Sequence, residues 1–477
     1  MIYIHFPFCK SFCTYCDFYS VRGRDRISQY TQSLLREISL RKVFLCRCSA
    51  PATLYIGGGT PSLWPVEQLG EAVAAVSAAL REGGADYGRP CGAPGGGGGT
   101  VPGTWDGRGD AGIFAEFTVE VNPDDVTEAY ARALRRLGVN RVSMGVQSFS
   151  DRSLRWMARR HSPEGAVEAF RVLRSAGFDN ISLDLIFGYD PVAWGSGSSS
   201  DEELMQLWSD DLDAVLRLRP EHISAYQMGI EEGSVLGEMA AAGRYREPSD
   251  ELCAAQYALL QQRLAAAGYL QYEVSNFSLP GRRALHNSGY WDRSSYIGLG
   301  PGAHSFDGDR HRWWNAPDLD RYIAAIGGRG ASGGFSASGA VPITGDFPTP
   351  GHCDCAVSSV VSEETLTDED VLTETIMLGL RTVDGLPLDV LVAMCRSSST
   401  VPDSRSGSAQ PLSSTMPDSR SGAAENSCQS LLSQLPHPLR TSVDRLLATG
   451  SLILRDGRLS IPSSRLFISD SIIRELL

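Results

Sequence analysis

The sequence lacks any apolar run approaching the ~20 residues that a membrane-spanning helix needs. Its start, MIYIHFPF, is too short for a secretory signal and has no basic lead. No integral membrane segment is therefore expected, and the chain reads as cytoplasmic. A surplus of positive charge is absent as well. Lys and Arg number 43 against 56 Asp and Glu, a net charge of −13. A broad nucleic-acid face needs a basic surface, so nucleic acid is excluded as a partner, while a local basic pocket for an acidic small molecule is not. A disulfide framework is also missing. The 11 cysteines are odd in number, and three of them fall between positions 9 and 16. That grouping suits metal binding in a reducing compartment.

Glycine is abundant, at 50 residues, but clustered. Four stretches depart from globular composition: 83–112, 192–200, 327–362 and 397–429. The last holds a near-repeat, SSTVPDSRSGSA at 398–409 and SSTMPDSRSGAA at 413–424. Such segments bury too little apolar surface to offset their ordering entropy, and read as surface insertions or linkers. Between them, apolar runs at 1–5, 53–56, 117–121, 139–147, 181–187 and 222–227 predict strands. Helical spacing at 25–43, 127–137, 164–175 and 201–217 separates several of them. Six strand–helix repeats predict an α/β fold with a parallel sheet, either rolled into a full or partial barrel or open and doubly wound. Globular character resumes near residue 365 with an amphipathic helix. Residues 428–477 then predict a helix, a hairpin across Asp456-Gly457 and a short helix, a winged-helix-like arrangement.

The strongest chemical signal is Cys9-Lys-Ser-Phe-Cys13-Thr-Tyr-Cys16, directly after the first strand. Thiolates are soft ligands that iron–sulfur clusters select. Three on one tight loop can hold three irons of a [4Fe–4S] cluster and leave the fourth open to another ligand. A zinc site is the alternative, but zinc usually takes four closed ligands from two separated pairs. Structural cysteines packed in a core are another. The pairs Cys46/Cys48 and Cys353/Cys355 lack the matched spacing of a second cluster.

The opening YIHFPFCKSFCTYCDFYS resembles radical S-adenosyl-L-methionine (SAM) proteins of the coproporphyrinogen III dehydrogenase type, and especially their heme-chaperone branch. The resemblance continues through GGGTPSLW, EVNPD, RVSMGVQSF, MARRH, SLDLIFG, HNSGYW and GLGPGAHS, covering nearly all the chain outside the four insertions. It implies a radical SAM partial (β/α) TIM-like barrel over 1–235, an extension over 236–326 carrying the HNxxYW pattern, and a smaller C-terminal helical domain over 363–477. By the same resemblance, the loop with Gly58, Gly59 and Thr60 meets the methionyl amino group of SAM. Glu120, at a strand end where barrel sites collect, can bond the SAM amine or ribose. Gln147, Arg159 and Asp184 line a second SAM or substrate region, unless they serve as salt bridges. Tyr3 and Tyr15 flank SAM or the cluster, with aromatic core packing as their plainer role.

Two functions follow from the resemblance. One is a heme chaperone that retains the cluster and SAM site and passes heme to acceptor proteins, with a homodimer allowed. The other is the oxygen-independent dehydrogenase, which oxidatively decarboxylates propionates to vinyls. Three features favour the chaperone. Phe18 stands where the dehydrogenase usually has a further cysteine, the N-terminal arm of the dehydrogenase is missing, and His286-Asn287-Ser288-Gly289-Tyr290-Trp291 fits the chaperone pattern. His286 is the first candidate heme ligand, with Tyr290 a phenolate alternative and His304 a second imidazole. The plainer reading of HNSGYW is a loop whose histidine bonds the backbone and whose aromatics fill the barrel mouth.

Overall fold

The structure is a computed structural model that describes residues 1–45, 52–83, 113–192, 197–327, 361–398 and 428–477. Most of the four expected insertions, Cys91 and the pairs Cys46/Cys48 and Cys353/Cys355 lie outside the described residues.

Six strands form the centre of the first compact unit: β1 (Ile2–Phe6), β2 (Ala52–Gly58), β3 (Phe114–Val121), β4 (Arg141–Gln147), β5 (Ile181–Phe187) and β6 (His222–Gln227). They lie side by side in chain order and all run parallel. A short strand, Ile297–Leu299, joins the outer edge of β1, also parallel. Strands that follow one another in parallel need long crossovers. Helices Ile27–Leu40, Val66–Gly83, Glu128–Arg136, Pro163–Ser175 and Asp201–Leu218 fall between them. Side-chain hydroxyls cap several of these helices: Thr127 accepts from Tyr130 N, Ser162 from Gly165 N, and Ser200 from Glu203 N. The architecture is a partial (β/α) barrel: the six strands follow in unbroken chain order, without the reversal of order that a doubly wound sheet shows.

Strand side chains alternate between the two sheet faces. One set is apolar and fully buried, including Leu54, Ile56, Val119, Val142, Met144, Leu183 and Leu185. The other set is mostly polar and aromatic: Thr53 and Tyr55, Thr118 and Glu120, Arg141 and Ser143, Ser182 and Asp184, His222 and Ser224. A barrel interior lined this way can hold a ligand as well as a hydrocarbon core.

Asp211, buried on the fifth of these helices, accepts hydrogen bonds from Ser148 Oγ (2.7 Å) and Phe149 N (2.6 Å), so it fixes the turn leaving β4. Burial pushes its carboxyl up to about 7. Asp211→Ala strands both donors and should cost about 2–3 kcal/mol in urea denaturation. A carboxyl raised in the folded state contributes stability that is present below its unfolded value and lost as pH rises through about 7. The gap between wild type and variant should therefore narrow from pH 5 to pH 8.

The second compact unit comprises Leu270–Asn276, Tyr290–Arg293 and Thr365–Leu477. Helices Asp368–Leu380, Leu388–Ser398 and His437–Ala448 pack around Leu380, Leu388, Val443, Leu446 and Leu459. Strands Ile453–Arg455 and Arg458–Ser460 pair antiparallel, and the two turn residues Asp456 (φ 52°) and Gly457 (φ 73°) both take the left-handed geometry that a tight hairpin requires. The result is a small helical unit with a β-wing, which also takes in two segments of the stretch 236–326.

Candidate functional site

Beyond β1 the chain turns at Pro7 and enters the cysteine loop. Phe8–Cys9 pairs with Val21–Arg22, closing the loop at its base. Further along, Thr14 N donates to Met157 O (3.2 Å), and Thr14 O accepts from Leu236 N (2.8 Å). Lys10 pairs with Asp125, which also meets Arg160 (3.5 Å). Cys9, Cys13 and Cys16 are thereby held as half-buried free thiols. The Thr60 hydroxyl donates to Cys9 Sγ (3.4 Å), and Arg159 Nη1 to Cys13 Sγ (3.5 Å). Among the described residues no three His, Cys, Asp or Glu side chains close on a single ion. A [4Fe–4S] cube takes its thiolates on separate irons, which three thiols on one loop can supply.

The loop forms one wall of a cleft of about 810 Å³ at the C-terminal ends of the barrel strands. All three cysteines line it, together with Tyr15, Gly58, Gly59, Thr60, Glu120, Gln147, Arg159 and Asp184. Gly58 has φ 109°, and a Cβ there would stand 2.7 Å from the His5 ring. One on Gly59 would stand 2.8 Å from Phe8 O, so the β2 turn meets the cysteine loop as only glycine allows. Glu120 accepts from the Tyr55 hydroxyl (2.8 Å) and from Gly58 N (3.2 Å). Burial is the main reason its carboxyl rises to about 7. Gln147 ends β4 at a bulge with φ 69°, and Ala158, beside Arg159, has φ 56°. Non-glycine residues held there mark strain of the kind found around ligand sites. Arg159 bonds Gly145 O and reaches Asn122 Oδ1 (3.5 Å). Asp184 accepts from Ser143 and Ser182, and burial raises its carboxyl as well. Tyr15 also packs against the buried cluster of Met157, Ile186, Tyr189, Met228 and Leu236.

Other expected residues lie off the cleft. The Tyr3 hydroxyl bonds His5 Nδ1 (3.0 Å), and its ring stands 6.2 Å from Tyr55. His286 sits on a helix, Leu285–Trp291, where a loop was the plainer expectation, and is 1% exposed. Its Nδ1 bonds Thr53 Oγ1 (2.8 Å), its ring lies 5.2 Å from Tyr55, and burial lowers its pKa to about 3. The next residue, Asn287, does line the cleft. Tyr290 falls in the second unit. His304 is exposed on the strand His304–Phe306, stacked on Trp314 at 5.4 Å. Sequence reasoning missed Tyr55, Asn122, Arg141, Ser143, Ser224, Tyr226 and Met228 as cleft residues. The available signal for Tyr55, Arg141, Ser143, Ser224 and Tyr226 was the polar alternation within three strands; Asn122 and Met228 lie just past strand ends.

A parallel barrel with a three-cysteine loop at its mouth defines the radical SAM class, and the sequence profile of the radical SAM superfamily matches residues 3–194. The heme chaperone HemW of Mycobacterium tuberculosis (strain ATCC 25618 / H37Rv) is 30% identical over 396 residues, 81% of this chain and 83% of that protein. HemW of Escherichia coli (strain K12) is 32% identical over 305 residues, 64% of this chain and 69% of that protein. The chain belongs to the radical SAM superfamily, in the family of the HemW proteins. Its fold is similar to that of the radical SAM enzyme coproporphyrinogen III oxidase (HemN) from Escherichia coli. The TM-score is 0.65 at 17% identity, over 100% of this chain and 89% of that one. Superfamily membership implies a [4Fe–4S] cluster and SAM, and the three free thiols beside an 810 Å³ cleft fit both. No helix among the described residues is long and apolar enough to cross a membrane.

Proposed function

We propose that this protein is a heme chaperone, which holds a [4Fe–4S] cluster at Cys9, Cys13 and Cys16, binds SAM in the barrel cleft, and carries heme for delivery to acceptor proteins. The observation that carries the reading is the three-thiol loop on a cleft of about 810 Å³, in a chain that matches HemW over most of that protein's length. The cluster supplies an iron with an open coordination position and one electron. Around it, the Gly58–Thr60 turn offers backbone to the methionyl end of SAM, Glu120 offers a carboxylate to its amine or ribose, and Arg159 holds positive charge beside Cys13.

Heme enters by the same cleft in this reading. His286 lies one layer below the floor, behind Tyr55, and its neutral imidazole is the form that ligates iron. Reaching it requires the Leu285–Trp291 helix to shift. His286→Gln, which can keep a bond to Thr53, should lower heme affinity by about tenfold or more in a Soret titration, with the cluster absorption unchanged. His304→Ala should bind as wild type. The reverse result would move the heme ligand to His304.

The second reading, coproporphyrinogen III oxidation, rests on the fold shared with the HemN enzyme. Incubation with coproporphyrinogen III, SAM and a reductant under anaerobic conditions should yield no protoporphyrinogen IX. Robust conversion would replace the chaperone reading.

A further inference from the structure

Arg141 opens β4 two residues before Ser143, and its side chain belongs to the polar set of the barrel interior. It is 1% exposed, yet it lines the cleft. Its Nε and Nη1 are buried and make no hydrogen bond. A guanidinium removed from water with its donors unmatched is costly, and such groups ordinarily find a partner. The two nearby carboxylates do not fill that role. Glu120 accepts from Tyr55 and Gly58, and Asp184 from Ser143 and Ser182. Both are also pushed by burial toward their neutral forms. The cation thus stands at the cleft floor with both carboxylates in electrostatic reach but with its Nε and Nη1 donors unmatched. Other faces supply only neutral groups to it: Tyr55 from β2, His222 from β6 and His286 from the helix below, each within electrostatic reach.

We infer that Arg141 is an anion-receiving residue at the cleft floor, which takes a carboxylate of the bound ligand. Arginine suits a planar carboxylate because its donors form a fixed fork. Two ligands of the proposed function carry that group: a tetrapyrrole, through its propionates, and SAM, through its methionyl carboxylate. The inference rests on the reading that such ligands enter this cleft, and it adds the residue that selects acidic ones.

The test compares heme with heme dimethyl ester, and measures SAM binding, on the full chain and on Arg141→Gln and Arg141→Lys. With a propionate on Arg141, wild type should prefer heme over its ester by about tenfold, Arg141→Gln should lose that preference, and Arg141→Lys should keep part of it. With the SAM carboxylate there instead, Arg141→Gln should weaken SAM about tenfold and leave the ester preference as in wild type. A folded Arg141→Gln or Arg141→Lys protein unchanged in both measurements would overturn the inference. Should both variants fail to fold, equal wild-type affinity for heme and its ester, together with unchanged SAM affinity at saturating benzoate, would overturn it. Absence of any heme binding by wild type would instead sink the chaperone reading and leave the SAM measurement to decide Arg141.

Discussion

Replacing Cys13 by serine is expected to remove the iron–sulfur absorption of the reconstituted protein almost completely. The loop supplies three thiols and no fourth cysteine, because the other described cysteines, Cys253, Cys395 and Cys428, are not in it. Losing one leaves two soft ligands, too few to hold a cube against exchange with solvent, and a serine oxygen is a harder donor that iron–sulfur clusters disfavour. Cys13 Sγ also receives the Arg159 guanidinium, so the substitution removes the sulfur that this cation faces. The fold should survive. The loop is tied to the barrel by the backbone of Thr14 and by Lys10, none of which the substitution touches. Iron and sulfide analysis with circular dichroism separates the two effects. A Cys13→Ser protein that retained a full complement of four irons would show that the thiols are structural.

The second large effect concerns Glu120. Its carboxyl sits near 7 in the unliganded protein because burial penalises the charge, only partly offset by Tyr55 and Gly58. A ligand that brings positive charge, as SAM does, favours the ionised form. Binding is then linked to loss of a proton. The sign follows directly: SAM affinity should climb as pH rises toward about 7 and level off above it, with roughly a tenfold deficit at pH 6. Glu120→Gln should bind SAM about tenfold more weakly at pH 8 and show a flattened pH profile. Equilibrium dialysis against SAM across pH 6–8 reads both. A Glu120→Gln protein with wild-type affinity and an unchanged profile would place SAM elsewhere.

Much of this was legible in the sequence for identifiable reasons. The six strands announce themselves as short apolar runs, and Ser200 with Glu203 marks a helix start by a reciprocal cap. Cys9, Cys13 and Cys16 are legible because their spacing alone brings them together. Cleft residues on separate strands are harder. Glu120, Gln147, Arg159 and Asp184 came from resemblance, since nothing local says that positions 120 and 184 face one cavity. Tyr55, Arg141 and Ser224 went unnoticed because each is ordinary within its own strand, and only the parallel registers of β2, β4 and β6 gather them. His286 shows the opposite limit. The motif is visible, but its burial against Thr53 depends on a contact 233 residues away.

The most direct test is a heme titration of the anaerobically reconstituted protein, with and without SAM, followed by absorption spectroscopy. The broad absorption of a [4Fe–4S] cluster, joined by a saturable Soret band at one heme per chain, is the predicted result. A fully assembled cluster with no saturable heme binding would contradict the chaperone reading and return this cleft to substrate radical chemistry.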